Sequence, residues 1–246
     1  MFEQILFPTD GSDGANAVFE HVLDVTKDHE ATLHILNVAD TTRDSVTQIQ
    51  GEIVDVLEGE GEQIVEETAA RAANRNVSVV TDVIQGGVPE TIVAYADEYD
   101  IDLIAMSTQG RVGIEQRLLG STTERVVRRA TVPVCTLRPD GESFRYPYQN
   151  VLVATDGSEC ANAALDRAID IAEKTGATLH VLSVVERSAA DVHPEAQADT
   201  LESEAERVLE EATAVAEDAS VESIIKNIEV GAAAYRTIQS YIADHD

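Results

Sequence analysis

The chain has 246 residues, enough for two ordinary α/β domains, and carries a formal net charge of -29 with a pI near 4.3. Charge of that sign and size repels nucleic-acid phosphate and anionic membrane, so neither is expected as a partner. Cys135 and Cys160 show no CxxC spacing, no basic head precedes an apolar run, and no apolar run nears spanning length, so a soluble, cytoplasmic chain is expected.

Gln4–Pro8 is a short apolar run of strand formers, and Asp10-Gly11-Ser12-Asp13-Gly14 is turn chemistry that also starts a helix. Ala15, Val18, Val22 and Val25 then recur at helical spacing to about His29. Thr32–Val38 is the second strand, and Asp40–Gly51 reads as a polar, mobile loop. Ile53, Leu57, Ile64, Val65, Ala69 and Ala72 mark a long acidic helix, with a kink expected at Gly59 or Gly61. Val77–Ile84 is the third strand, ended by Gly86-Gly87, and Pro89 fits the first turn of a helix running to Tyr99. Leu103–Met106 is apolar throughout, as in a strand buried on both faces. A helix from Ser121 to about Ala130 follows, then a strand at Val132–Leu137, where Pro133 implies an edge position or the start of the pairing. The alternation predicts a doubly wound parallel α/β sheet over residues 1–138. Pro139, Gly141 and Pro147 mark a linker at 139–148.

Residues 149–246 then repeat the pattern. Ile5-Leu6-Phe7-Pro8-Thr9-Asp10-Gly11-Ser12 returns as Val151-Leu152-Val153-Ala154-Thr155-Asp156-Gly157-Ser158, and Ala31-Thr32-Leu33-His34 as Ala177-Thr178-Leu179-His180, both at an offset of 146 residues. A helix at Cys160–Lys174 is closed by Gly176. Strands are expected at Thr178–Val185 and Val221–Val230, with a long acidic helix from about Glu195 to Glu217 between them. Thr237-Ile238 matches Thr91-Ile92, and Asp246 matches Asp100, so the second domain is expected to be truncated before its fourth strand.

The acid is expected on helix faces, as at Glu52, Asp55, Glu58, Glu60, Glu62, Glu66 and Glu67, rather than in one tail. It suits either a surface for a basic partner or a halophilic protein in a salty cytoplasm, where screening removes the self-repulsion. The second account needs nothing further and is preferred.

The strongest motif is Ser107-Thr108-Gln109-Gly110, nine residues, then Gly120-Ser121-Thr122-Thr123-Glu124. It leaves the carboxyl end of a buried strand, where open parallel sheets bind ligands. Glycines let backbone amides approach phosphate with no Cβ in the way. Ser121 and Glu124 have the spacing of a capping box, which sets a helix N-terminus and its positive dipole end beside the loop; Arg111 or Arg117 would add charge. The plain alternative is a strand-to-helix connection whose cap only stabilises the helix, and spacing alone favours neither. Asp10 closes the first strand, where a carboxylate can accept hydrogen bonds from a ribose or hold Mg²⁺ through water. Its counterpart Asp156 has no such loop and reads as a helix-start turn residue. His34 and His180 share one strand position and read as partly buried, since no His/Cys/Asp cluster has metal-ligand spacing. Cys135, in an apolar strand, reads as a small core residue. No nucleophile elbow, P-loop or Gly-x-Gly-x-x-Gly after the first strand is present, so no residue is assigned to catalysis.

On Pro8-Thr9-Asp10-Gly11-Ser12, on Gly110 with nine residues to Gly120-Ser121, and on Val132-Pro133-Val134, the chain resembles a tandem universal stress protein. The resemblance implies Rossmann-like domains of strand order 3-2-1-4-5, with ATP or AMP held in the first only. By matching position, Asp10 and Val38 would contact ribose and adenine, and Gly110, Gly120, Ser121 and Thr122 would cradle the phosphates. Ser107 stands where the family's ATP-binding pattern has its first glycine. It still offers an amide and adds a hydroxyl, but its Cβ narrows the approach, so it is expected to weaken triphosphate binding. The resemblance further implies a homodimer through Val132–Leu137, since the family's last strands pair across a two-fold axis, and Mg²⁺ is expected, through water, at Asp10. A stress-response regulator with at most slow hydrolysis is the leading expectation. The alternatives are a non-nucleotide interaction scaffold and, more remotely, a magnesium-dependent ATP hydrolase using Asp10.

Overall fold

Apolar strands and amphipathic helices alternate through the first of two units, Met1–Phe144 and Arg145–Asp246, in a computed structural model that describes residues 2–40, 46–49, 52–109, 119–139, 145–187 and 194–245. In chain order the first unit contains β1 (Gln4–Pro8), α1 (Asp13–Asp28), β2 (Thr32–Asp40), β3 (Val46–Ile49), β4 (Glu52–Asp55), α2 (Val56–Ala73) and β5 (Ser78–Gly86). It continues with α3 (Val88–Glu98), β6 (Leu103–Ser107), α4 (Ser121–Arg129) and β7 (Val134–Leu137).

Five of these strands form one parallel sheet in the order β5-β2-β1-β6-β7, which is 3-2-1-4-5 once the separate β3–β4 ribbon is set aside. β1 is central: Leu6 lies beside His34 of β2 on one side and Ile104 of β6 on the other. Strand side chains alternate between faces, so each face builds its own core. Ile5, Phe7, Leu33 and Ile35 pack against Phe19 and Leu23 of α1 and Val65 of α2. Leu6, Leu36 and Ile104 pack against Ile92 and Tyr95 of α3 and Val126 of α4. The large aliphatic and Phe side chains among them are no more than 5% exposed, and each such burial contributes about 1.5–3 kcal/mol. β6 is buried along its whole length, as its unbroken apolar run requires.

Two local expectations need correction. The stretch read as loop holds β3 and the helix read as starting near Ile53 is preceded by β4, the two strands pairing antiparallel with Val46 opposite Asp55 and Ile49 opposite Glu52. Val46, Thr47, Ile49, Ile53 and Val54 are β-branched, and that favours strand over helix. The last strand begins at Val134 rather than Val132, although the Pro133 carbonyl already accepts the Ile104 N–H at 3.0 Å. β7 is the edge of the sheet.

The second unit runs β8 (Asn150–Ala154), α5 (Glu159–Thr175), β9 (Thr178–Glu186), α6 (Pro194–Asp218), β10 (Ile224–Gly231) and α7 (Ala234–His245). Its smaller parallel sheet has the order β10-β9-β8, and Leu152 lies beside His180 as Leu6 lies beside His34. Both histidines are buried, further than the partial burial expected, and each is bonded to a tyrosine hydroxyl: His34 Nδ1 to Tyr95 at 2.9 Å and His180 Nδ1 to Tyr241 at 3.0 Å. Among the described residues no helix is long and apolar enough to cross a membrane.

Candidate functional site

The strand order of the first unit reverses at β1, so a crevice opens at the carboxyl ends of β1 and β6. The turn leaving β1 is closed by its own side chains. Thr9 Oγ1 accepts the Gly11 N–H at 3.2 Å, Asp10 Oδ1 accepts the Ser12 N–H at 3.0 Å, and Ser12 Oγ accepts the Ala15 N–H at 3.3 Å to cap α1. Asn37 donates from Nδ2 to the Thr9 carbonyl at 2.8 Å, which ties the end of β2 to the same turn.

At the end of β6, Thr108 donates its N–H to the Leu137 carbonyl and the Thr108 carbonyl accepts the Gly120 N–H, each at 2.8 Å. The Thr123 hydroxyl donates to the Ser107 carbonyl at 3.0 Å. These bonds seat the first turn of α4 on the strand end. The N-cap of α4 is Gly120, in extended conformation and with no side-chain cap bond. The expected capping box is therefore absent: Ser121 is one residue too late for it, and Glu124 pairs with Arg128 at 3.1 Å. Because the cap has no side-chain oxygen, the first-turn amides of Ser121, Thr122 and Thr123 gain no intramolecular substitute there. A Cβ on Gly120 would stand 3.0 Å from the Thr108 carbonyl oxygen, so glycine at this position permits the close seat of α4 rather than clearing space for a ligand.

Asp10, Val38, Ser107, Gly120, Ser121 and Thr122 line one cleft of about 340 Å³. Gly110, Arg111 and Arg117 lie outside the described residues. Val88, Ile92 and Met106 give the cleft an apolar wall, and Asp40, Glu60 and Ile64 border it. Glu60 and Ile64 were not anticipated, because α2 reads in sequence only as an acidic amphipathic helix; the helix runs unbroken through Gly59 and Gly61. Among the described residues no group of three or more His, Cys, Asp or Glu is arranged to hold a metal ion.

The corresponding strand ends of the second unit use their carboxylates internally. Exposed Asp156 accepts the Ser158 N–H at 2.9 Å, and hydrogen bonds from Ser158 hold its carboxyl below the usual range. Glu186 accepts the N–H of Ala234, the first residue of α7, at 2.6 Å.

A model of the universal stress protein family matches residues 1–138 and again 147–245. Universal stress proteins of Methanocaldococcus jannaschii and Methanothermobacter thermautotrophicus are 30% and 32% identical to this chain over 141 and 143 residues. Each alignment covers 56% of this chain, and 83% and 97% of the two relatives. A solved universal stress protein from Archaeoglobus fulgidus shares the fold, with a TM-score of 0.71 at 22% identity over 98% of this chain and 82% of that one.

Proposed function

We infer that this chain, which belongs to the universal stress protein family, is a stress-response regulator whose first unit binds ATP or AMP. The cleft carries this reading: Asp10, Val38 and a helix start without a side-chain cap border one space. Asp10 is the ribose acceptor, and Val38 with the apolar wall takes the adenine. The amides of Ser121 and Thr122 meet phosphate at the positive end of α4. Mg²⁺ would enter with the nucleotide, held by phosphate oxygens and by Asp10 through water. The second unit takes no nucleotide in this reading, since among the described residues its three-stranded sheet sets no counterpart of β6 or α4 beside Asp156. Two chains pair through β7, an edge strand whose segment Val134-Cys135-Thr136-Leu137 carries no charge.

Nucleotide released from freshly purified protein, identified by mass spectrometry, and a calorimetric titration with ATP test the reading. About one site per chain is expected, and Gly120→Val should weaken ATP by about tenfold or more by pushing the first turn of α4 off the Thr108 carbonyl. Two equivalent sites, or a folded Gly120→Val chain that binds as before, would contradict it.

A further inference from the structure

Gly14 and Cys160 hold the same place in α1 and α5, in the matching stretches Gly14-Ala15-Asn16-Ala17 and Cys160-Ala161-Asn162-Ala163. Glycine is the poorer helix residue, because it loses more backbone freedom on ordering than any other. Cys160 is exposed and nothing there calls for a glycine. Gly14 has a different neighbour. A Cβ at this position would come within 2.5 Å of the Gln109 carbonyl oxygen, 3.2 Å of its carbon and 3.3 Å of Ser107 Oγ. The obstacle is backbone, which cannot swing aside as the tip of a long side chain can.

The segment Ser107–Gln109 is held from other directions too. Ser107 is buried, at 9% exposure, and its Oγ accepts the Gln109 N–H at 3.2 Å. Its carbonyl takes the Thr123 hydroxyl, and the Thr108 carbonyl takes the Gly120 N–H. Ser107 and Gln109 also line the cleft. One short segment thus touches the first turn of α1, the start of α4 and the space between them.

We propose that Gly14 is a positioning residue for the phosphate side of the cleft. The bare first turn of α1 lets the Gln109 peptide seat against it, with the Gln109 amide turned back onto the Ser107 hydroxyl. That seat sets where Thr123 and Gly120 hold the start of α4, and so where its amides meet phosphate. Ser107 then acts as the closing group of the turn, and glycine at position 14 supplies the room that turn needs. The second unit has Cys160 at the matching place and no described segment corresponding to Ser107–Gln109. The proposal rests on the nucleotide reading of the cleft, and it assigns Gly14 to the phosphates rather than to the nucleoside.

The test titrates adenosine, AMP and ATP into the full chain, Gly14→Ala and the control Cys160→Gly, and follows amide exchange at Gln109 by NMR without ligand. Gly14→Ala should bind AMP and ATP about tenfold or more weakly and adenosine within about twofold of the parent, while Cys160→Gly binds all three as the parent does. Gln109 exchange should quicken by about tenfold in Gly14→Ala while the α1 amides keep their protection, since alanine is the better helix residue. A Gly14→Ala chain that keeps its AMP and ATP affinities, or loses adenosine equally, overturns the proposal. A parent chain that binds none of the three ligands overturns the nucleotide reading instead. In that case the exchange data decide the seating, and unchanged Gln109 exchange in Gly14→Ala disproves it. Ser107→Ala, which leaves Gly14 in place, should also speed Gln109 exchange; no change there removes the serine hydroxyl from the proposal.

Discussion

Tyr95 has one hydroxyl hydrogen, and it goes to Asp82 Oδ2 at 2.6 Å. His34 Nδ1, 2.9 Å from the Tyr95 hydroxyl oxygen, must therefore be the donor, so in the neutral ring Nε2 is an acceptor and the Gln4 amide, whose Oε1 lies 2.9 Å away, has to turn its NH₂ toward it. Burial, opposed by the Asp82 charge, holds His34 below the ordinary histidine value. Burial and then the Asp82 hydrogen bond push Tyr95 up. A histidine with a lowered folded-state pKa takes up its proton first in the unfolded chain. Its contribution to stability is thus present above about pH 6.5 and lost as the pH falls further. Tyr95→Phe leaves both a buried imidazole N–H and a carboxylate without this partner, and should cost about 1–3 kcal/mol. Urea titration followed through NMR signals of β2 reports the first unit alone. It should show that loss, and a lower parent midpoint at about pH 5.5 than at neutrality. Unchanged midpoints would mean that the network contributes no stability. The matched histidines are visible in sequence, but Tyr95 is 61 residues from His34 and shows there only as one member of a helical stripe. In the second unit the strand register puts Asn227 where Asp82 stands, so the His180–Tyr241 pair lacks that carboxylate.

Element types and their order were legible from periodicity, because long apolar stripes at period two or 3.6 have one face to bury. The β3–β4 ribbon was not, since its β-branched residues are short runs among polar ones. The cap of α4 was misplaced by one residue because Ser121-Thr122-Thr123-Glu124 offers several capping registers, and the backbone angles at Gly120 decide among them. The convergence was legible, since Asp10, Val38 and Ser107 lie at or just beyond the carboxyl ends of predicted strands and Gly120, Ser121 and Thr122 at the predicted start of the helix that follows one of them. The share taken by Glu60 and Ile64 depends on how α2 overhangs those ends, which is tertiary packing. At β7, Val134 is half-buried against the α3–α4 face, and burial pushes the Cys135 thiol up to about 11, so it packs as a neutral group. A lysine is the usual deterrent to pairing at such an edge. Light scattering at high salt should give twice the 26.5 kDa chain mass for the parent and 26.5 kDa for Val134→Lys. A monomeric parent would end the idea of pairing through β7.

For the molecule as a whole, the register around β1 sets an order of events during synthesis. β1 is made first, yet Ile5 and Leu6 find their neighbours on one side only in Leu103 and Ile104 of β6. Chains emerge from the ribosome at about 5–20 residues per second, so for about 0.5–2 s, between the end of α3 and the end of β6, the nascent first unit can own only β5-β2-β1 and the helices α1 to α3, apart from the small ribbon. That is the arrangement which β10-β9-β8 and α5 to α7 adopt in the second unit. The nascent first unit should thus pass through the arrangement that the second unit holds. Ribosome-bound chains arrested with residues 1–100 exposed should already protect the β2 amides of Leu33 to Leu36 from exchange. If protection waits until β6 has cleared the exit tunnel, the resemblance is one of architecture alone and not of folding order.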